Sequence, residues 1–140
     1  GLPNDMVFEL HGNTQWVVCL GCHRCYPFEQ IVAELEGDEE IPDCQACHGI
    51  LKPDAVFFGE PLPEKTLREA ASRSCNCDLF IVIGSTLTVY PAAYMPFYAL
   101  EAGAKLVIIN LSDTPMDRQA EVLVRARAGE LMPLVLQQVK

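Results

Sequence analysis

Five residues able to bind metal or move protons crowd the first part of the chain: His11, Cys19, Cys22, His23 and Cys25. Four of the seven cysteines form two C-x-x-C pairs, Cys19-Leu20-Gly21-Cys22 and Cys44-Gln45-Ala46-Cys47, with 21 residues (23–43) between them. Two thiolates in each of two tight knuckles make the tetrahedral S4 set that Zn²⁺ prefers. Such a site is closed by protein on all sides and is expected to be structural, because a catalytic zinc keeps one position for water. A rival register exists in Cys22-His23-Arg24-Cys25. The Cys19–Cys22 pair is preferred because Gly21 leaves its turn free to aim amides at sulfur, and Gly49 follows the second knuckle in a similar way. His23 and His48 each follow a ligand cysteine and are alternative fourth ligands, although four thiolates suffice and surface positions are expected for both. Cys25, Cys75 and Cys77 fall outside the pattern; packing rather than redox chemistry is expected of the last two. His11 is of the side-chain type most often used to move protons. By its position alone a core or surface histidine is the favoured reading.

The elements that would hold these residues follow from periodicity. Phe28, Ile31, Val32 and Leu35 have the spacing of a short amphipathic helix, and Gly37-Asp38-Glu39-Glu40 then reads as an exposed acidic loop. Leu79–Gly84 and Lys105–Asn110 are short continuous apolar runs rich in β-branched residues, as in parallel strands buried on both faces. Residues 92–102 between them read as a helix, started at Pro91 and stopped at Gly103, which gives a right-handed βαβ unit. A helix is expected over 64–74 after Pro63, a strand over 121–127, and a last helix over 130–139 with Pro133 in its first turn. The class is α/β: a partial doubly wound parallel sheet of Rossmann type with a small zinc ribbon. Ligands of such sheets lie outside the carboxyl ends of the strands. Here those ends are Gly84-Ser85-Thr86, where a backbone can approach a ligand, and Asn110-Leu111-Ser112, whose amide and hydroxyl suit a ribose or a base. Ordinary strand-to-loop chemistry is the equal alternative, since there is neither a G-x-G-x-x-G nor a P-loop.

The composition sets outer limits. With 140 residues, 50% of them hydrophobic and 21% charged, the chain has material for one domain, or one domain plus a metal-held module. A formal charge of −9 opposes direct binding to nucleic acid and favours a basic peptide. No apolar run reaches the length of roughly 18 residues that a membrane span needs, and no secretion signal is visible, so the cytoplasm is the expected compartment. The start, Gly1-Leu2-Pro3-Asn4-Asp5, lacks an initiator Met and reads as a loop entering a strand, as expected of a piece of a longer protein.

In order along the chain stand His11-Gly12, the two C-x-x-C pairs, Val56-Phe57-Phe58-Gly59-Glu60, Gly84-Ser85-Thr86, Val89-Tyr90-Pro91-Ala92-Ala93 and Ile109-Asn110-Leu111. This set resembles the sirtuins, the NAD-dependent protein-lysine deacylases, over essentially the whole chain. The resemblance implies that His11 is the general base and no metal ligand, and that Cys19, Cys22, Cys44 and Cys47 hold one structural Zn²⁺. It implies that Gly84, Ser85, Thr86, Asn110, Leu111, Ser112 and Ala128 line the site of NAD⁺, a co-substrate here. Val56, Phe58, Gly59 and Glu60 on one side, with Val89 and Tyr90 on the other, would hold an acyl-lysine peptide as a strand; Phe57 reads equally as a core residue. Residues 12–55 would be the zinc module, and 1–11 with 56–140 the C-terminal part of the NAD-binding domain. The acyl group would pass from lysine to ADP-ribose, with nicotinamide released and no hydride transferred. The family's glycine-rich NAD loop, its lid and its Gln-Asn-x-Asp segment belong upstream of residue 1. The chain alone is therefore expected to bind NAD poorly and to be inactive, with the missing N-terminal half as its partner and self-association possible for the fragment. A zinc-held peptide- or nucleotide-binding module without catalysis is the alternative.

Overall fold

A computed structural model of the chain describes residues 2–37 and 42–139. They form two compact units, Gly1–Pro63 and Glu64–Lys140.

In the first unit a short 3-10 turn at Asn4–Met6 precedes strand β1 (Gly12–Cys19), strand β2 (Cys25–Pro27), helix α1 (Phe28–Gly37) and strand β3 (Leu51–Ala55). The sheet is antiparallel in the order β2-β1-β3. Val17 pairs with Tyr26 across β1 and β2, and both are buried. Together with Ile31 of α1, Cys19 and Cys44 they form the core, against which Leu51 packs. Two of the five buried core residues are thus candidate metal ligands. The apolar stripe expected on α1 is used only in part: Ile31 is buried and Val32 half-buried, but Phe28 and Leu35 are exposed. Gly37 closes α1 instead of opening the acidic loop expected there, and the rest of that loop lies outside the described residues.

The second unit runs α2 (Glu64–Ser74), β4 (Leu79–Ile83), a 3-10 turn at Ala92–Tyr94 leading into α3 (Met95–Glu101), β5 (Lys105–Ile109), a 3-10 turn at Asp117–Gln119, β6 (Val122–Val124) and α4 (Ala128–Gln138). The sheet is parallel in the order β4-β5-β6. Helix α3 packs on β4 and β5, and α2 packs on α3. The core is Val82, Leu87, Ala93, Leu106, Ile108 and Met116, with Phe80, Leu100 and Ala120 beside it.

Three expectations need correction. Strand β4 is covered on one face only, whereas in β5 Leu106 and Ile108 on one face and Ile109 on the other are all buried. Val82, Leu106 and Ile108 face the core, whereas Leu79, Ile81 and Ile83 on the other face of β4 are 43–49% exposed. The strand expected over 121–127 is only Val122–Val124, since pairing with β5 ends at Ile109↔Val124. The last helix begins at Ala128, so Pro133 lies inside it and not in its first turn. The cost is one missing N–H bond to the carbonyl four residues back. Among the described residues no helix is long and apolar enough to cross a membrane.

Gly12 is the tightest joint of the first unit. Its φ is +67°, and a Cβ there would stand 2.0 Å from the Asp54 carbonyl oxygen of β3. A Gly12→Ala protein should lose more than the ~1–2 kcal/mol of a left-handed backbone alone, because the β1–β3 pairing must also separate. A denaturant midpoint equal to that of the unmutated chain would contradict this.

Candidate functional site

The four cysteines of the two pairs converge. Their sulfurs all lie within 4.8 Å of one another, with Cys19 and Cys47 3.5 Å apart and Cys22 and Cys44 3.6 Å apart. A tetrahedron with Zn–S bonds of about 2.3 Å has edges of about 3.8 Å, so this donor set fits one zinc ion. The knuckles are built alike. His23 N–H donates to the Cys19 carbonyl and His48 N–H to the Cys44 carbonyl, at 2.9 and 2.7 Å. Both histidines take a positive φ, 59° and 56°. The left-handed residue of each knuckle is therefore a histidine and not Gly21. Gly21 contributes its amide, which donates to the Cys19 sulfur at 3.3 Å. Gly49 is required for space, since a Cβ there would stand 2.9 Å from the Cys19 sulfur.

The rival register fails: the exposed Cys25 turns its sulfur toward the His23 carbonyl at 3.8 Å. The four sulfurs complete a set by themselves, His48 is committed to Asp43 at 2.8 Å, and both histidines are exposed, as expected of surface positions.

Thiols this close cannot all ionise without a cation among them. The Tyr26 hydroxyl, 3.1 Å from the Cys44 sulfur, is the main cause that brings Cys44 down to about 6. The neighbouring sulfurs of Cys19, first, and Cys22 push Cys47 up to about 12. A bound dication removes this conflict by favouring all four thiolates at once.

His11 sits one residue before β1 and is exposed. Its carbonyl accepts the Val56 N–H at 2.9 Å, so the two are joined through the backbone just past the Gly12↔Ala55 pair. From Val56, which is half-buried, the chain passes to a turn held by Lys52 and Glu60. The Lys52 ammonium donates to the Ala55 carbonyl at 2.7 Å and to the Glu60 carboxylate at 2.8 Å, and lies 4.4 Å from the centre of the Phe57 ring. The same Glu60 oxygen accepts the Phe57 N–H at 2.9 Å, and Lys52 is the chief cause that holds the Glu60 carboxyl below the usual carboxylate range. Phe57 is 51% exposed and so is no core residue; Phe58 is wholly exposed, and Gly59 reverses the chain at φ +90°.

In the second unit the structure brings two predicted loops side by side, at the carboxyl ends of the adjacent strands β4 and β5. Gly84 extends the pairing through its N–H to the Ile109 carbonyl at 2.9 Å. Ser85 accepts the Leu87 N–H, and the Thr86 and Thr88 hydroxyls are 2.9 Å apart. Leu87 is buried at φ 55°, a rare state for a bulky side chain. Asn110 is buried, and its amide donates to the Ser112 carbonyl and hydroxyl, so that N–H₂ group shapes the loop and is not free for a ligand. Leu111 is exposed. Arg125 donates to the Ser112 carbonyl at 2.6 Å and pairs with Asp113 and Asp117. Asp117 is held below the usual range chiefly by the Thr114 hydroxyl. Ala128 is half-buried and opens α4. Val89 and Tyr90 are exposed, and the Tyr90 ring lies 4.6 Å from that of Tyr94.

Lys52, Tyr26, Leu87 and Arg125 are the residues that sequence reasoning missed. Their importance comes from partners brought close by folding; no local spacing marks them.

A tetrathiolate ribbon and a parallel α/β layer with ordered loops at its carboxyl end define an α/β protein with a metal-ribbon module. Residues 1–91 match the model of the Sir2 family, and the chain belongs to that family. It is 43% identical over 135 residues to NAD-dependent protein deacylase 2 of Archaeoglobus fulgidus, a match covering 96% of this chain and 53% of the relative. The NAD-dependent protein deacetylase of Thermotoga maritima is 45% identical over 111 residues, 79% of this chain and 45% of that protein. Among solved structures, a Sir2 complex with a p53 peptide and NAD⁺ and a Sir2Tm complex with a propionylated peptide each superpose with a TM-score of 0.86. Both share 40% identity with this chain and cover 94% of it and 55% of their own length. The chain thus spans about half the length of the curated relatives it matches.

Trp16, the chain's one tryptophan, lies on β1 in the ribbon's sheet. Stripping metal with a strong chelator should shift its emission to the red, and Cys44→Ser should give the shifted spectrum from the outset. An unchanged spectrum after complete metal removal would show that the ribbon stands without metal. A second expectation concerns acid. A carboxylate with a lowered folded pKa stabilises the fold above its unfolded pKa and loses that contribution as pH falls through the folded value. The stability gap between the unmutated chain and Asp117→Asn should therefore be full at pH 6 and close as pH drops below the ordinary value of 3.8. A gap constant down to pH 2 would refute it.

Proposed function

We propose that this chain is the C-terminal part of an NAD-dependent protein-lysine deacylase, one that moves an acyl group from lysine to ADP-ribose and releases nicotinamide. One observation carries the reading: an exposed His11 imidazole held through the backbone beside Val56, in a chain of the Sir2 family. NAD⁺ would supply the electrophilic ribose carbon and the accepting hydroxyl, and would be consumed.

His11 would take the proton from that hydroxyl, the general-base role that imidazole side chains most often fill. Val56, Phe58, Gly59 and Glu60, with Val89 and Tyr90, would hold the acyl-lysine peptide as an added strand; main-chain bonds then give affinity tolerant of sequence. Gly84, Ser85, Thr86, Asn110, Leu111, Ser112 and Ala128 would border the nucleotide, with Asn110 acting through the loop it shapes. Cys19, Cys22, Cys44 and Cys47 would hold the zinc as a brace, taking no part in the chemistry. In this reading residues 12–55 are the zinc module, and 1–11 with 56–140 belong to the NAD-binding domain. The exposed apolar face of Leu79, Ile81 and Ile83 suits a layer supplied by the rest of the protein. Metal-bound thiols fit the reducing cytoplasm.

In the complete protein, His11→Ala should lower nicotinamide release from NAD⁺ and an acetyl-lysine peptide by about 10²–10⁴-fold, the usual contribution of a positioned general base. Zinc content and peptide affinity should not change. Release unaffected by the substitution would remove the deacylase reading and favour a binding module without catalysis.

A further inference from the structure

Lys52 gathers three groups of one segment around a single charge. It stands on β3, with its side chain 20% exposed, and meets three groups of the segment that follows: the Ala55 carbonyl, the Glu60 carboxylate and the face of the Phe57 ring. Glu60 closes the circuit from the other end. Its carboxylate takes the Phe57 N–H, and its own N–H donates to the Phe57 carbonyl at 3.0 Å. One cation and one carboxylate thus fix both ends of a turn whose middle, Phe58, touches little else and is fully exposed.

By contrast, Lys65–Glu69 and Arg68–Glu64 are helical pairs on the surface of α2, with side chains 51–88% exposed. Exposed pairs of that kind contribute little. A largely shielded ammonium with three partners holds its side chain and its neighbours more firmly. The backbone that carries the fully exposed phenylalanine is already fixed in this way, so a ligand need not order the turn on binding.

We propose that Lys52 is a positioning residue for peptide recognition: it presets the Val56–Glu60 segment, and with it Phe58, for an acyl-lysine peptide, and does not touch the peptide itself. The proposal deepens the deacylase reading and rests on it for the identity of the ligand.

The test uses the complete protein and a fluorescein-labelled acetyl-lysine peptide, with equilibrium Kd and steady-state KM and kcat measured together. Lys52→Met keeps the stem and removes the charge; Lys52→Arg keeps the charge; Glu60→Gln removes the ion pair and keeps an acceptor for the Phe57 N–H. Lys52→Met should weaken peptide binding and raise peptide KM about tenfold, the scale of reordering a short segment on binding. The KM for NAD⁺ and the zinc content should stay as in the unmutated protein. Lys52→Arg should recover most of the loss, and Glu60→Gln should shift peptide KM in the same direction by less.

An unchanged peptide Kd in Lys52→Met and Glu60→Gln overturns the proposal. So does an equal rise in both KM values, which would mark general damage. The deacylase reading fails separately: if the unmutated protein shows no turnover yet Lys52→Met still loses peptide affinity, that reading falls and the clamp stands.

Discussion

The antiparallel ladder between β1 and β3 connects everything of chemical interest in the first unit. At one end Cys19 pairs with Leu51, between the two cysteine knuckles; at the other Gly12 pairs with Ala55, next to the His11–Val56 bond. The register shifts between Gly12 and Val17, so the strands are not locked together by uniform pairing along their length. A three-stranded sheet with so small a core is marginal by itself, and two of its five buried core residues are thiols. A metal that gathers the four sulfurs therefore secures one end of the ladder. Gly12, closed against Asp54 where no side chain fits, secures the other.

Electrostatics repeats one device in both units. Lys52 ties the ends of the turn that presents Phe58, and Arg125 ties the loop after β5 through Ser112, Asp113 and Asp117. In each case a cation satisfies backbone carbonyls and carboxylates that a loop would otherwise leave to water. The candidate ligand loops are thus shaped by charges that lie behind them, and the residues at their tips, Phe58 and Leu111, are left exposed. The chain's acidity, −9 overall, does not prevent this, because these few cations are placed where carboxylates converge.

The parallel sheet of the second unit is covered unequally. Its core face is filled by Val82, Leu106 and Ile108 under α3, while Leu79, Ile81 and Ile83 remain 43–49% exposed on the other. Continuous apolar runs made these strands read as buried on both sides. That pattern describes the environment a strand suits, and this chain spans about half the length of its curated relatives.

Elements with strong local signals were legible in the sequence. Helix α2 runs over Glu64–Ser74 as Pro63 and the spacing predict; the apolar runs became β4 and β5; and the Cys19–Cys22 register chose itself over Cys22–Cys25. These depend on periods and spacings that a few neighbouring residues set. Only the tertiary structure decided the rest. Asn110 turns its N–H₂ group to Ser112; Phe57 looked like core, yet it lies half-exposed beneath a lysine; His23 and His48 are exposed as expected, and their left-handed backbones also close the knuckles. Tyr26, Lys52 and Arg125 carry no motif at all. Each acts on groups 3 to 18 residues away along the chain, through hydrogen bonds and charges whose strength depends on distance in space. The sequence by itself determined which elements form and which sulfurs could share a metal, and folding alone decided which polar groups would meet.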